Sequence, residues 1–147
     1  MSFKVKIKYI SDLAKKPFYA TDGSAGMDLS AAIEKPLLLK KGERVLVPTG
    51  IAIALPDSES VAYIYARSGL SIKHGICLAN SVGVIDSDYR GEIRVGLINL
   101  GNSDYTIEPG ERIAQMVFAP VLRAQLVESE SLEDTERGAG GFGSTGR

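Results

Sequence analysis

At 147 residues, with 44% hydrophobic and 24% charged residues, the chain has the size and composition of one soluble globular domain. A net charge of −1 excludes the basic excess of a protein that coats nucleic acid or membrane, so a polyanionic ligand must be met by locally placed arginines. Cys77 and His74 are the only residues of their kinds, which excludes an internal disulfide and a Cys/His zinc cluster.

The predicted elements are mostly strands. Val5, Ile7 and Tyr9 alternate with Lys4, Lys6 and Lys8, the pattern of a half-buried strand. No apolar stretch has the character of a signal or a membrane span, so a cytoplasmic protein with no membrane partner is expected. Leu37 to Leu39 leads into the turn signal Lys41-Gly42-Glu43, and Val45-Leu46-Val47 follows. Ile51 to Leu55, Val61 to Tyr65, Ile76 to Leu78, Ile93 to Leu100 and Ile113 to Phe118 are further short apolar runs. Gly, Pro, Asn and Asp separate them at intervals of about ten residues, as in sandwiches and barrels. Leu70 to His74 has room for one helical turn before Gly75, and Cys77 reads as a small buried apolar residue. Val121 to Val127 fits helix or strand, and the alternation of Leu122, Ala124 and Leu126 favours strand. The expected architecture is all-β, a jelly roll or similar closed arrangement over residues 1–127. Residues 128–147 are acidic and then Gly-rich, too poor in apolar surface to offset the entropy of ordering. That segment reads as a frayed end or as a mobile arm closing over a ligand.

Five stretches carry chemistry. Ala25-Gly26-Met27-Asp28-Leu29 places a carboxylate after a Gly-rich entry. Arg67-Ser68-Gly69-Leu70 offers a forked guanidinium, a hydroxyl and an unobstructed backbone N–H, the donors a phosphate needs, although Arg-Ser-Gly is also an ordinary turn. Gly83 to Ile93 reads as strand, turn, strand, a hairpin able to aim Asp86 and Tyr89 into one pocket; taken alone it is equally an acidic turn. Gln115 interrupts an apolar run, so it is either hydrogen-bonded in the core or turned towards a ligand. Gly138, Gly140 and Gly143 match G-x-G-x-x-G without the βαβ unit of a dinucleotide site. Gly-rich backbone still forms anion-binding concavities, and Arg137 adds a fixed charge beside it. Phe142 suits base stacking, or docking on a neighbouring subunit.

In this order, the five stretches closely resemble the sequence motifs of the trimeric dUTPases, and the resemblance spans nearly the whole chain. It implies a jelly-roll-like distorted β-barrel, Mg2+ carried on the substrate's triphosphate, and a homotrimer whose active sites are shared between subunits. The implied reaction is hydrolysis of dUTP to dUMP and pyrophosphate, which keeps uracil out of DNA and supplies dUMP. Asp86 is implied to be the general base for the water that attacks the α-phosphorus, and Tyr89 to lie against the deoxyribose. Asn80, Val84 and Ile85 match the uracil-reading positions, and Arg67, Ser68 and Gly69 the phosphate-holding motif. Gln115 and Arg137 match positions near the terminal phosphates; Phe142, with Gly143 beside it, matches the aromatic that covers the base. Asp28 is implied to act through water or hydrogen bonds on the metal and phosphate side, with no direct protein ligand to the ion. Asp88 and Glu92 receive turn or salt-bridge roles. The alternatives are an enzyme like dCTP deaminase, which shares the fold, and a nucleotide-sensing module without turnover.

Overall fold

The computed structural model describes residues 3–142. In chain order its elements are β1 (Lys6–Tyr9), β2 (Phe18–Tyr19), β3 (Met27–Ser30), β4 (Leu37–Leu39), β5 (Arg44–Pro48), β6 (Ile51–Ala54), β7 (Ser60–Tyr65), α1 (Ser68–His74), β8 (Ile76–Leu78), β9 (Gly83–Ile85), β10 (Arg94–Asn99), β11 (Tyr105–Ile107) and β12 (Arg112–Pro120). Every strand pairing is antiparallel. A five-stranded sheet runs β2-β3-β12-β7-β9 and a three-stranded sheet β5-β10-β8, with β1-β6 and β11-β4 as separate pairs. These ladders wrap one core without closing into a ring, which is the expected all-β jelly roll in distorted form. None of the described helices is long and apolar enough to cross a membrane.

Both larger sheets feed the core. Leu29, Ile64 and Met116 come from the five-stranded sheet, and Val47, Val95 and Leu97 from the three-stranded one, all nearly inaccessible to solvent. Each such side chain contributes roughly 1.5–3 kcal/mol by leaving water. Asn99 is fully buried among them without cost, because its amide donates to the carbonyls of Leu39 (3.0 Å) and Ser103 (2.9 Å) and accepts from the Gly101 N–H (2.9 Å).

Three expectations change. Residues 83–93 are not a hairpin: β9 pairs with β7, whereas β10 pairs with β5 and β8. The segment between them crosses from one sheet to the other, anchored where the Ile93 N–H donates to the Ile51 carbonyl at 2.8 Å. Residues 121–127 form no strand. They pair with no strand among the described residues, and Leu122 and Leu126 are 97% and 92% exposed. β1 forms as expected but stays exposed along its length, since β6 is its only strand partner among the described residues.

The expected helical turn is a seven-residue helix, α1. Gly75 ends it with φ +72°, and a Cβ there would strike the backbone of Leu100 and Gly101, so only glycine serves both the left-handed turn and the close crossing. Near this crossing, the His74 ring packs on Tyr105 with centroids 4.9 Å apart, and the Tyr105 hydroxyl donates to the Glu111 carboxylate. Burial, reinforced by Glu111, pushes the Tyr105 phenol from its ordinary 10.0 up to about 12. A raised folded-state value means that folding favours the neutral phenol. Its contribution is complete below about pH 10 and fades as the pH climbs from there through about 12. Tyr105→Phe is therefore expected to lower the urea midpoint at pH 8, with the gap from the parent narrowing in the alkaline range. A gap that stays constant to the highest pH at which both fold would contradict this account.

Candidate active site

Most of the residues singled out by the sequence line two clefts, and Val84 and Asp86 also border a third beside Tyr63 and Arg123. The first is organised around Asp28, a buried carboxylate on β3. Its Oδ1 accepts from Arg67 Nε at 2.8 Å and its Oδ2 from Arg112 Nη1 at 2.9 Å. A buried carboxylate must be paired, and charge-assisted bonds to two guanidinium groups satisfy it. Two positive charges on one negative charge leave this three-residue cluster net cationic. Arg67 also donates to the Arg112 carbonyl at 3.2 Å, which fixes it just before α1.

Gln115 and Asp28 are cross-strand partners on β12 and β3. The Gln115 amide donates to the Ala66 carbonyl at 3.0 Å, so the hydrogen-bonded reading of this residue holds. It lies across Gly26, where a Cβ would come within 2.6 Å of its Oε1. Its side chain nevertheless lines the same cleft as Asp28, Arg67, Ser68 and Gly69. At Gly69 an added Cβ would meet no protein atom within 4 Å, so packing inside this chain does not demand glycine there.

Arg112 was assigned no role from the sequence, and a bulge explains why. Regular alternation puts residues 112 and 115 on opposite faces of a strand. Here the register shifts between Arg112 and Ala114: Arg112 faces Ser30, while Ala114 already faces Leu29. Ile113 and Ala114 are consecutively buried, and the extra residue turns Arg112 to the Gln115 side. Two neighbouring buried residues between two polar ones were the available signal.

The second cleft is lined by Leu46, Val84, Ile85, Asp86, Tyr89 and Arg94, with Glu92 beside them. The Asp86 carboxylate is exposed and makes no hydrogen bond or ion pair with the described residues; it is free to accept from a water. Its backbone carbonyl accepts from the Tyr89 N–H at 3.1 Å, closing the turn that brings both side chains to one cleft. Arg90 caps the same turn, donating to the carbonyls of Ser87 (2.7 Å) and Tyr89 (2.9 Å). Asn80 lies at the other end of β9, in the turn after β8, and does not line this cleft.

Asp86 and Arg67 themselves lie far apart along β7. β9 is antiparallel to β7 with Ile85 opposite Ala62, so Asp86 follows at the level of Val61, six residues before Arg67. At ~3.3 Å per strand residue, Asp86 and Arg67 are on the order of 20 Å apart at opposite ends of β7. Arg137 and Phe142 join neither cleft. They lie on an exposed segment folded only into local turns, such as Gly140 N–H to the Arg137 carbonyl at 2.9 Å. Phe142 is fully exposed at φ +51°, and Gly143 lies outside the described residues. No three His, Cys, Asp or Glu side chains among the described residues gather to hold a metal ion.

A family model described as dUTPase matches residues 12–146. The chain is 60% identical over 144 residues to the deoxyuridine 5'-triphosphate nucleotidohydrolase of Rickettsia felis, covering 97% of both chains. It is 52% identical over 147 residues to the enzyme of that name from Desulfitobacterium hafniense, covering 99% of this chain and 97% of the relative. Its fold is similar to that of Staphylococcus bacteriophage 80alpha dUTPase, solved with dUPNHPP, at a TM-score of 0.89 and 27% identity over 99% of this chain and 100% of that one.

Proposed function

The chain belongs to the dUTPase family and hydrolyses dUTP to dUMP, and from that premise we propose that its active site is completed between subunits of a homotrimer. The observation that carries the proposal is the placement of Asp86 and Arg67 at opposite ends of β7. The α-phosphorus and the terminal phosphate of dUTP are two P–O–P links apart, far less than the length of β7. One chain therefore cannot offer both groups to the same triphosphate, whereas Asp86 of one subunit facing the Arg67 cleft of another can.

In the assembled site Asp86 orients a water for in-line attack on the α-phosphorus and accepts its proton as the new P–O bond forms. The bond from the α-phosphorus to the bridging oxygen breaks, and pyrophosphate leaves. Arg67, Ser68 and the Gly69 backbone N–H hold the phosphate chain, with Gln115 alongside; Gly69 leaves its approach open. Asp28, whose two oxygens already lie on guanidinium groups, orients Arg67 and reaches a phosphate-bound ion only through water. Mg2+, bound to triphosphate oxygens and its own waters, would neutralise charge there. Val84 and Ile85 present backbone groups to uracil, and Asn80 reads the same base from the far end of β9. Tyr89 excludes a 2′-hydroxyl. Arg137, Phe142 and Gly143 arrive with the arm, the first on the terminal phosphates and the aromatic over the base.

Complementation tests the shared site. Asp86→Asn and Arg67→Gln chains should each be nearly inactive. Unfolded together at equal amounts and refolded, they should regain about a quarter of the parent activity, because that share of random pairings joins two intact halves. No regain from hybrids shown to have formed would place both groups in one chain's site.

A further inference from the structure

Gly91 is the one glycine in the 86–93 crossing, and the space it leaves is occupied by Tyr89. A Cβ at Gly91 would lie 2.6 Å from Tyr89 Cζ and 3.0 Å from Cε2, and closer still to the hydroxyl. Real Cβ atoms do not approach that closely, so the ring rests on Gly91 only because no side chain is there. The backbone does not demand glycine, since the φ of Gly91 lies outside the left-handed region. What demands it is the ring.

The ring is also held at its far end. The Tyr89 hydroxyl donates to the Glu92 carbonyl at 2.9 Å. Glu92 is fixed in turn: its Oε1 accepts from the Gly50 N–H at 2.9 Å, and its Oε2 lies 3.5 Å from Arg94 Nε. Thr49 donates its hydroxyl to the Ile93 carbonyl, tying the same short stretch to the β5–β6 turn. Tyr89 is thus registered against the body of the fold through two neighbours, one supplying a gap and the other an acceptor.

We propose that Gly91 and Glu92 are positioning residues for sugar selection: they fix the plane of the Tyr89 ring, and that plane decides whether a 2′-hydroxyl is admitted. The inference rests on the reading of Tyr89 as the surface against the deoxyribose. A pocket wall can discriminate only if it cannot swing away, because a mobile ring would give way to the extra oxygen at little cost. Filling the gap at position 91 pushes the ring off its seat and breaks its bond to the Glu92 carbonyl, without touching the water, the phosphates or the base.

The test compares kcat/KM for dUTP and UTP in full-length Gly91→Ala, Tyr89→Ala and the double variant, with the thermal midpoint of each recorded. The dUTP-over-UTP ratio should fall at least about tenfold in Gly91→Ala. The double variant should be no less selective than Tyr89→Ala alone, since Gly91 acts through the ring. If Tyr89→Ala leaves the ratio at the parent value, the sugar-gate reading fails and this inference with it. If Tyr89→Ala collapses the ratio while Gly91→Ala preserves it, the gate reading stands and the positioning role is overturned. A Gly91→Ala chain that does not fold also overturns it, because a ring able to swing aside would have absorbed the collision.

Discussion

Asp86→Asn is expected to lower kcat for dUTP by roughly 100- to 10,000-fold, the range set by loss of a positioned general base. The asparagine keeps the size of the side chain and can still hold a water, but it cannot take the proton. Substrate affinity should change little, because the proposed contacts to phosphate and to uracil are made by other side chains and by backbone groups, none of them the Asp86 carboxylate. Folding should be untouched, since the exposed Asp86 carboxylate bonds to none of the described residues. Stopped-flow pyrophosphate release measures the rate, and calorimetric titration with dUTP the affinity. A variant that turns over within threefold of the parent would remove Asp86 from the proton-transfer role.

Deleting residues 137–147 should have a comparable effect by a different route. Arg137 would otherwise add a charge-assisted contact to phosphate, about 1.5–3 kcal/mol. A base stacked on an aromatic ring contributes about 1–3 kcal/mol. Together these correspond to a fall in kcat/KM on the order of 100- to 10,000-fold. The thermal midpoint should not move, because from Leu122 to Phe142 the chain is almost wholly exposed and adds nothing to the core. Full activity in the truncated chain would refute the arm's part in the site. A lower midpoint would show that the segment also stabilises the assembly.

The sequence revealed more about chemistry than about connectivity. Period-two apolar runs located most strands, because burial on one face of a pleat leaves that imprint in any neighbourhood. Pairing partners leave no such imprint. Residues 83–93 have the look of a hairpin, yet β9 and β10 belong to different sheets, since the partners that decide this lie far away in β5 and β7. The alternation at Leu122, Ala124 and Leu126 misled for the same reason: a strand needs a partner edge, and among the described residues this segment pairs with none. Arg112 was concealed by a bulge, which breaks the parity on which face assignments depend. Gln115 is the instructive middle case. Its polarity within an apolar strand marked it out, but only the fold could show that one amide both bonds the Ala66 carbonyl and lines the cleft.

The placement of Asp86 and Arg67 at opposite ends of β7 also bears on when activity begins. Under the shared-site reading, a chain fresh from the ribosome is inert towards nucleotides however well it has folded, since no rearrangement within it can bring proton acceptor and phosphate cradle together. Hydrolytic power then emerges only at encounter with sister chains, so dilution alone switches it off. On the same reading, a damaged subunit would spoil its neighbour's chemistry as well as its own.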